Sequence, residues 1–296
     1  MHDYILSCCS TADLTQEHMQ RRDIVYVCFH FELNGVSYFD DLGKSVPFPE
    51  FYRRMAAGEM TRTSQVSVGE YEAHFEPFLK EGKDILHLCL SSAISGSYNS
   101  AMIAAEDLAA RYPDRKIYIV DSLCAASGYG LLMDKLADLR DEGYTIDALR
   151  DWAEAHRLEV IHWVCTTDLT YLIRGGRVSK TAGTLGKILD ICPLIYVDRK
   201  GSLTVRQKIR CKKRALQEIV KHVAAEARGG VHYSGKCYVS HSDRPEDARA
   251  LADKIEAALP ELAEPVKIFD IGTTIGSHTG PGTVVAFFWG EHERDE

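Results

Sequence analysis

Four short segments of the 296-residue chain concentrate side chains suited to holding an anion. Ser91-Ser92-Ala93-Ile94-Ser95-Gly96-Ser97-Tyr98-Asn99 stands where an apolar run gives way to a helical pattern. Its four serines and its glycine surround the unpaired amides of a helix start, which suits a carboxylate or phosphate. Serine is also a favoured cap, so capping alone accounts for the same letters. Thr61-Arg62-Thr63-Ser64-Gln65 precedes a helix expected to start after Ser67, with Glu70 as its capping-box partner. Ser67 thus reads as structural, whereas Thr63 and Ser64 have no capping role. In Arg174-Gly175-Gly176-Arg177-Val178-Ser179 the paired glycines bring backbone close to a neighbour, and two guanidinium forks suit carboxylate or phosphate. A C-terminal helix cap with solvated arginines is the plain alternative. Gly276-Ser277-His278-Thr279-Gly280-Pro281-Gly282 is too glycine-rich for a strand interior and reads as a tight loop, either aiming His278 into a cleft or leaving it in solvent.

Spacing removes sharper chemistries. Gly183-Thr184-Leu185-Gly186-Lys187-Ile188 lacks the length and hydroxyl of a P-loop, and Gly128-Tyr129-Gly130 lacks the third glycine of a dinucleotide fingerprint. There is no Gly-x-Ser-x-Gly elbow, no Cys-x-x-Cys and no His-x-x-x-His. Neither a metal nor a cofactor is expected.

The elements that must position these segments follow from periodicity. Tyr4–Ser7, Ile24–Phe31, Ile85–Leu90 and Lys116–Asp121 are short apolar runs alternating with helical patterns, the signature of a parallel sheet flanked by helices. Asn34-Gly35 before Val36–Phe39 predicts a hairpin projecting from that sheet over about residues 28–60. Helices are expected over Ala125–Glu142 and Thr145–His156. From about residue 158 the texture changes. Val160–Cys165, Pro193–Val197, Ser202–Val205, Cys237–Ser240, Val266–Ile271 and Thr283–Trp289 read as strands, with helices at Arg210–Ala227 and Pro245–Ala258. The hairpin turn Asp198-Arg199-Lys200-Gly201 makes this second sheet antiparallel. The expected architecture is α/β in two domains: 1–157 with a mostly parallel sheet, and 158–296 as an α+β unit with an antiparallel sheet. Met102, Ile103, Leu131 and Leu185 read as core, and Glu291–Glu296 as a frayed tail.

Composition narrows the class. Lys and Arg number 35 against 43 Asp and Glu, a net charge of −8, which argues against a nucleic-acid or anionic-membrane surface. Nine cysteines, mostly in apolar runs, suit reduced core thiols and a cytoplasmic location. The N-terminus lacks the pattern of a signal peptide, and no stretch reaches the apolar length of a membrane-spanning helix.

Taken together and in this order, the segments resemble the DegV family of bacterial fatty-acid-binding proteins. The resemblance rests on Ser10-Thr11-Ala12-Asp13-Leu14, Thr63-Ser64-Gln65, the run from Ser91 to Tyr98, Asp121-Ser122, Gly175-Gly176-Arg177, Lys208-Ile209-Arg210 and His278-Thr279-Gly280-Pro281-Gly282. It implies a DegV-like two-domain protein holding one long-chain fatty acid between its domains, with the carboxylate near Thr63 and Ser95 and with His278 and Arg177 close by. Ser64, Ser92 and Ser97 are further head-group candidates, and Arg210 would sit at the docking face for a partner. That partner is the ATP-binding subunit of fatty acid kinase, which makes acyl phosphate for phospholipid synthesis. The chain itself would be a monomeric carrier rather than an enzyme. Three positions depart from the family pattern: Cys9 replaces an acidic residue, Val66 a proline and Cys211 a frequent glycine. The residues alone leave a second class open, a hydrolase or transferase acting on an acyl or phosphorylated small molecule with Ser95 or Ser92 as nucleophile and His278 as base. A regulatory protein whose lipid is a signal would use the same pocket.

Overall fold

The computed structural model describes residues 3–178 and 191–296. Tyr4–Cys9 (β1), Ile24–Val27 (β2), Asp84–Cys89 (β6) and Ile117–Asp121 (β7) form a four-stranded sheet in the order β2-β1-β6-β7, every pair parallel. Parallel neighbours need crossovers, and helices flank them: Gln16–Arg21 (α1), Val68–Lys80 (α3), Ser97–Arg111 (α4), then Ser127–Asp141 (α5) and Ile146–His156 (α6) after β7. Three helix starts carry side-chain caps, of which the sequence marked those at Thr145 and Ser67 but not that at Thr15. Thr15 accepts from the His18 amide, Thr145 from the Ala148 amide, and Ser67 and Glu70 close a reciprocal capping box.

The apolar run from Ile24 to Phe31 is divided between two sheets. Past β2 the chain turns, and His30–Leu33 (β3) pairs with Val36–Phe39 (β4) and Thr61–Ser64 (β5) in an antiparallel sheet ordered β4-β3-β5. Asn34 and Gly35 both have positive φ (52° and 82°), as the tight hairpin turn demands. The helix Phe48–Ala56 (α2) buries Phe51, Tyr52 and Met55 against Phe31, Leu33 and Val46, so the expected hairpin is a small layer with its own core.

The third sheet is built from Val160–Cys165 (β8), Ile191–Val197 (β9), Leu203–Arg210 (β10), Tyr238–His241 (β11), Lys267–Asp270 (β12) and Val284–Trp289 (β13). Its order is β10-β9-β8-β13-β11-β12, antiparallel except for the parallel β11–β12 pair. Helices Lys212–Glu226 (α8) and Pro245–Ala258 (α9) accompany it, and the short Thr170–Arg174 (α7) follows β8. Arg210, expected to open a helix, is instead the last residue of β10.

Two other expectations are corrected. The segment around His278 is a helix, Thr273–Thr279 (α10), because Gly276 lets it pass close to α2: a Cβ there would lie 2.4 Å from Tyr52 Oη. The tail is anchored, since Arg294 is fully buried and donates to the carbonyls of Leu123 (2.8 Å) and Arg157 (3.4 Å). Of the residues read as core, Leu131 is buried and Met102 packs against the core, Ile103 is exposed, and Leu185 lies outside the described residues together with the Gly183–Ile188 segment. Among the described residues no cysteine is in a disulfide, and of the nine Cys211 alone is exposed. Among the described residues no helix is long and apolar enough to cross a membrane.

Cys211, at the start of α8, has φ 73° and ψ 126°, a conformation costly for any residue with a Cβ. Glycine, which the resemblance implies is frequent at that position, adopts it without that cost. Cys211→Gly is therefore expected to raise stability by about 1 kcal/mol, read as a shift in the urea midpoint at unchanged m-value.

Candidate functional site

Side chains two apart on a strand share a face. His162 and Val164 of β8, Ile195 and Val197 of β9, Leu203 of β10, and Val285 and Phe287 of β13 use this to floor a cavity of about 340 Å³. The other walls come from Phe29, Leu90, Ile94, Leu172, Ile271 and Ile275, so most of the lining is apolar. Polar groups gather from four separate places: Thr63, Ser64 and Gln65 at the end of β5, Ser95 before α4, Arg177 after α7, and Thr274, His278 and Thr279 on α10.

Thr63 Oγ1 and His278 Nε2 are 2.8 Å apart. The other ring nitrogen, Nδ1, is buried without a partner and faces Gly175, where a Cβ would lie only 2.2 Å away. Glycine is required at that close approach. Burial first, and then the charge of Arg177, hold the His278 pKa down at about 4, so the ring is neutral at pH 7. Burial likewise lowers the pKa of Arg177, whose Nε donates to Ile94 O at 3.0 Å and whose guanidinium also holds Gly175 O. Thr274 Oγ1 is a second buried wall atom without a partner. Orphaned polar atoms at one end of an otherwise apolar cavity mark where a polar ligand group belongs.

Ser95 is both a local cap, its oxygen accepting the Ser97 amide at 3.2 Å, and a cavity-lining residue. The other two candidate serines do not reach the cavity. Ser92 is exposed, with its amide on Asp121 Oδ1 at 3.1 Å. Ser97 is fully buried and spends its hydroxyl on Tyr71 Oη, because it sits inside the first turn of α4 facing β1. Ser64 lines the cavity but remains largely exposed, and Arg210 is exposed on β10 away from it. Where the family pattern has an acid, the Cys9 thiol lies 3.1 Å from Tyr71 Oη, and burial raises its pKa to about 11, keeping it neutral.

One lining residue had no sequence signal. His162 lies in a segment that reads simply as a strand, and both ring nitrogens are satisfied: Nδ1 by Val160 O at 3.0 Å and Nε2 by the Ala125 amide at 3.4 Å. Burial, then Arg294, keeps it neutral. Among the described residues no group of three or more His, Cys, Asp or Glu could hold a metal ion.

Residues 9–291 match the model of the DegV family, described as an uncharacterised protein family. A DegV domain-containing protein of Clostridium perfringens is 35% identical over 98% of this chain and 99% of its own. Among solved structures, a DegV family protein from Thermus thermophilus, described for its fatty acid binding, superimposes with a TM-score of 0.86 at 26% identity, covering 97% of this chain and 99% of that one. The Streptococcus pneumoniae Fatty Acid Kinase (Fak) B3 protein, loaded with linoleic acid, shares the fold with a TM-score of 0.83 at 22% identity, over 97% and 99% of the two chains.

A histidine whose pKa falls on folding contributes stability that is complete above its unfolded value near 6.5 and is lost as the pH drops towards the folded value. The ligand-free protein should therefore show a His278 ring resonance that does not titrate between pH 8 and 5.5, and a urea midpoint that falls between pH 6.5 and 4. Titration of His278 with a midpoint near 6.5 would contradict the closed, neutral site.

Proposed function

The chain belongs to the DegV family, and on that footing we propose that it binds a long-chain fatty acid and presents the carboxylate to a separate ATP-dependent fatty acid kinase subunit. The observation carrying this reading is the cavity itself: an apolar floor with Thr63, Ser95, Arg177 and His278 drawn to one end. The acid lies in the seam between a domain formed by residues 1–157 and one formed by residues 158–296. Burying about fourteen methylenes at about 0.8 kcal/mol each supplies roughly 11 kcal/mol before ordering and association costs. The tail provides affinity and the head provides orientation.

At the head, a neutral His278 with its proton on Nε2 donates to Thr63 Oγ1, leaving the threonine hydroxyl proton for the ligand. Ser95, already accepting from the Ser97 amide, has its own proton to offer. Arg177 supplies a nearby positive charge that favours the ionised acid. Arg210, exposed at the end of β10, belongs to the docking face for the kinase. The carrier works in the cytoplasm as a monomer and catalyses nothing itself.

The arrangement of His278 favours a carrier over a hydrolase or transferase. A serine nucleophile needs a base oriented by a third group. Here Nε2 is directed at Thr63, Nδ1 has no partner to orient it, and Ser92 lies outside the cavity. Each hydroxyl bond to a charged carboxylate contributes about 1.5 to 3 kcal/mol. Ser95→Ala should therefore weaken binding of a long-chain fatty acid by about 10- to 100-fold without unfolding the protein. Unchanged affinity and unchanged phosphorylation of the bound acid in the folded variant would remove Ser95 from the site.

A further inference from the structure

Asp13 and Asp40 are buried carboxyls, 4% and 1% exposed, brought together beside Gly272 at the start of α10. A Cβ on Gly272 would lie 2.6 Å from Asp13 Oδ1 and 3.5 Å from Asp40 Oδ1, so both groups crowd one point. Their bonding differs. Asp40 accepts from Thr273 Oγ1 at 2.8 Å and from the Thr274 amide at 3.3 Å. The two oxygens of Asp13 are buried with no side-chain donor, and the Gly272 amide beside them only partly offsets that burial.

The surroundings offer little positive charge. Asp270 ends β12 beside the pair, with His241 of β11 3.7 Å from its carboxylate. Tyr52 of α2 packs on the same point and donates to Ile271 O, Asp243 follows β11, and Cys28, Asp41 and the exposed Lys44 flank Asp40. Two carboxylates cannot both keep a charge in such a place, and the one with fewer donors is the one that takes the proton. Burial and then Asp40 push the Asp13 pKa well up; burial also raises that of Asp40, against the opposing bonds from Thr274 and Thr273.

We propose that Asp13 is a neutral carboxylic acid and Asp40 the charged partner of a pair that seats the start of α10, making them positioning residues for His278 at the other end of that helix. Asp40 neutralises the orphan donors of the first turn, and a proton on Asp13 lets a second carboxyl pack there without repulsion. With seven residues in α10, a shift at its start reaches the Thr63–His278 contact within two turns. The consequence for affinity rests on the fatty-acid reading; the charge assignment does not.

An acid whose pKa rises on folding contributes stability that declines as pH climbs from about 4 through the folded value. Infrared difference spectra of the full chain at pH 7 should show the carbonyl stretch of a protonated carboxyl that disappears in Asp13→Asn. That variant should match or exceed the parent in thermal midpoint at pH 8, the difference closing as pH falls to 4, with fatty-acid affinity retained. Asp40→Asn should move the His278 ring resonance and lower affinity for oleate about tenfold. A missing carbonyl band, or an Asp13→Asn difference independent of pH, overturns the charge assignment. An Asp40→Asn protein with parental His278 resonance and affinity overturns the positioning role. If the parent binds no fatty acid, the functional reading fails while the spectroscopic and stability arms still decide the protonation.

Discussion

The hydrogen bond between Thr63 and His278 joins residues 215 positions apart, and the site depends on the elements that bring them together. Thr63 is delivered by β5, which exists only through its pairing with β3. His278 is delivered by α10, which is packed against α2 through Gly276 and capped by Asp40. Gly175 closes behind the ring, and Arg177 leans across to Ile94. A polar cluster gathered from four distant stretches is therefore held by backbone geometry as much as by its own contacts. For an anion entering a largely apolar cavity, such a fixed arrangement would stand in for the water it loses.

Local signals in the sequence reached the structure where the physics is local. The Ser67–Glu70 capping box, the Thr145 cap and the Asn34–Gly35 turn depend on neighbours a few residues away, and all are present. Thr63, Ser95, Arg177 and His278, which the resemblance to the DegV family groups through short motifs, all line the one cavity.

What stayed hidden was set by tertiary contacts. Thr61–Ser64 is a polar run with no apolar alternation to mark a strand, and it becomes β5 by pairing with Phe31 and its neighbours. The glycines around His278 signalled a loop, but Gly276 serves a close helix approach, and Gly280, at φ 72°, ends the helix. Ser97 could not be told from Ser95 by type, since only the turn geometry of α4 decides which faces Tyr71 and which faces the cavity. His162 left no trace because its two hydrogen bonds go to backbone brought in by folding. Arg294, in a charged tail, gave no sign that its guanidinium would be fully buried against the carbonyls of Leu123 and Arg157.

If the cavity holds a long acyl chain with its carboxylate at the Thr63–His278 end, the lipid should travel with the protein. Native mass spectrometry of the protein as purified, followed by denaturation and identification of what is released, should find one long-chain fatty acid per chain. A protein that is empty and also fails to take up added fatty acid would contradict that reading.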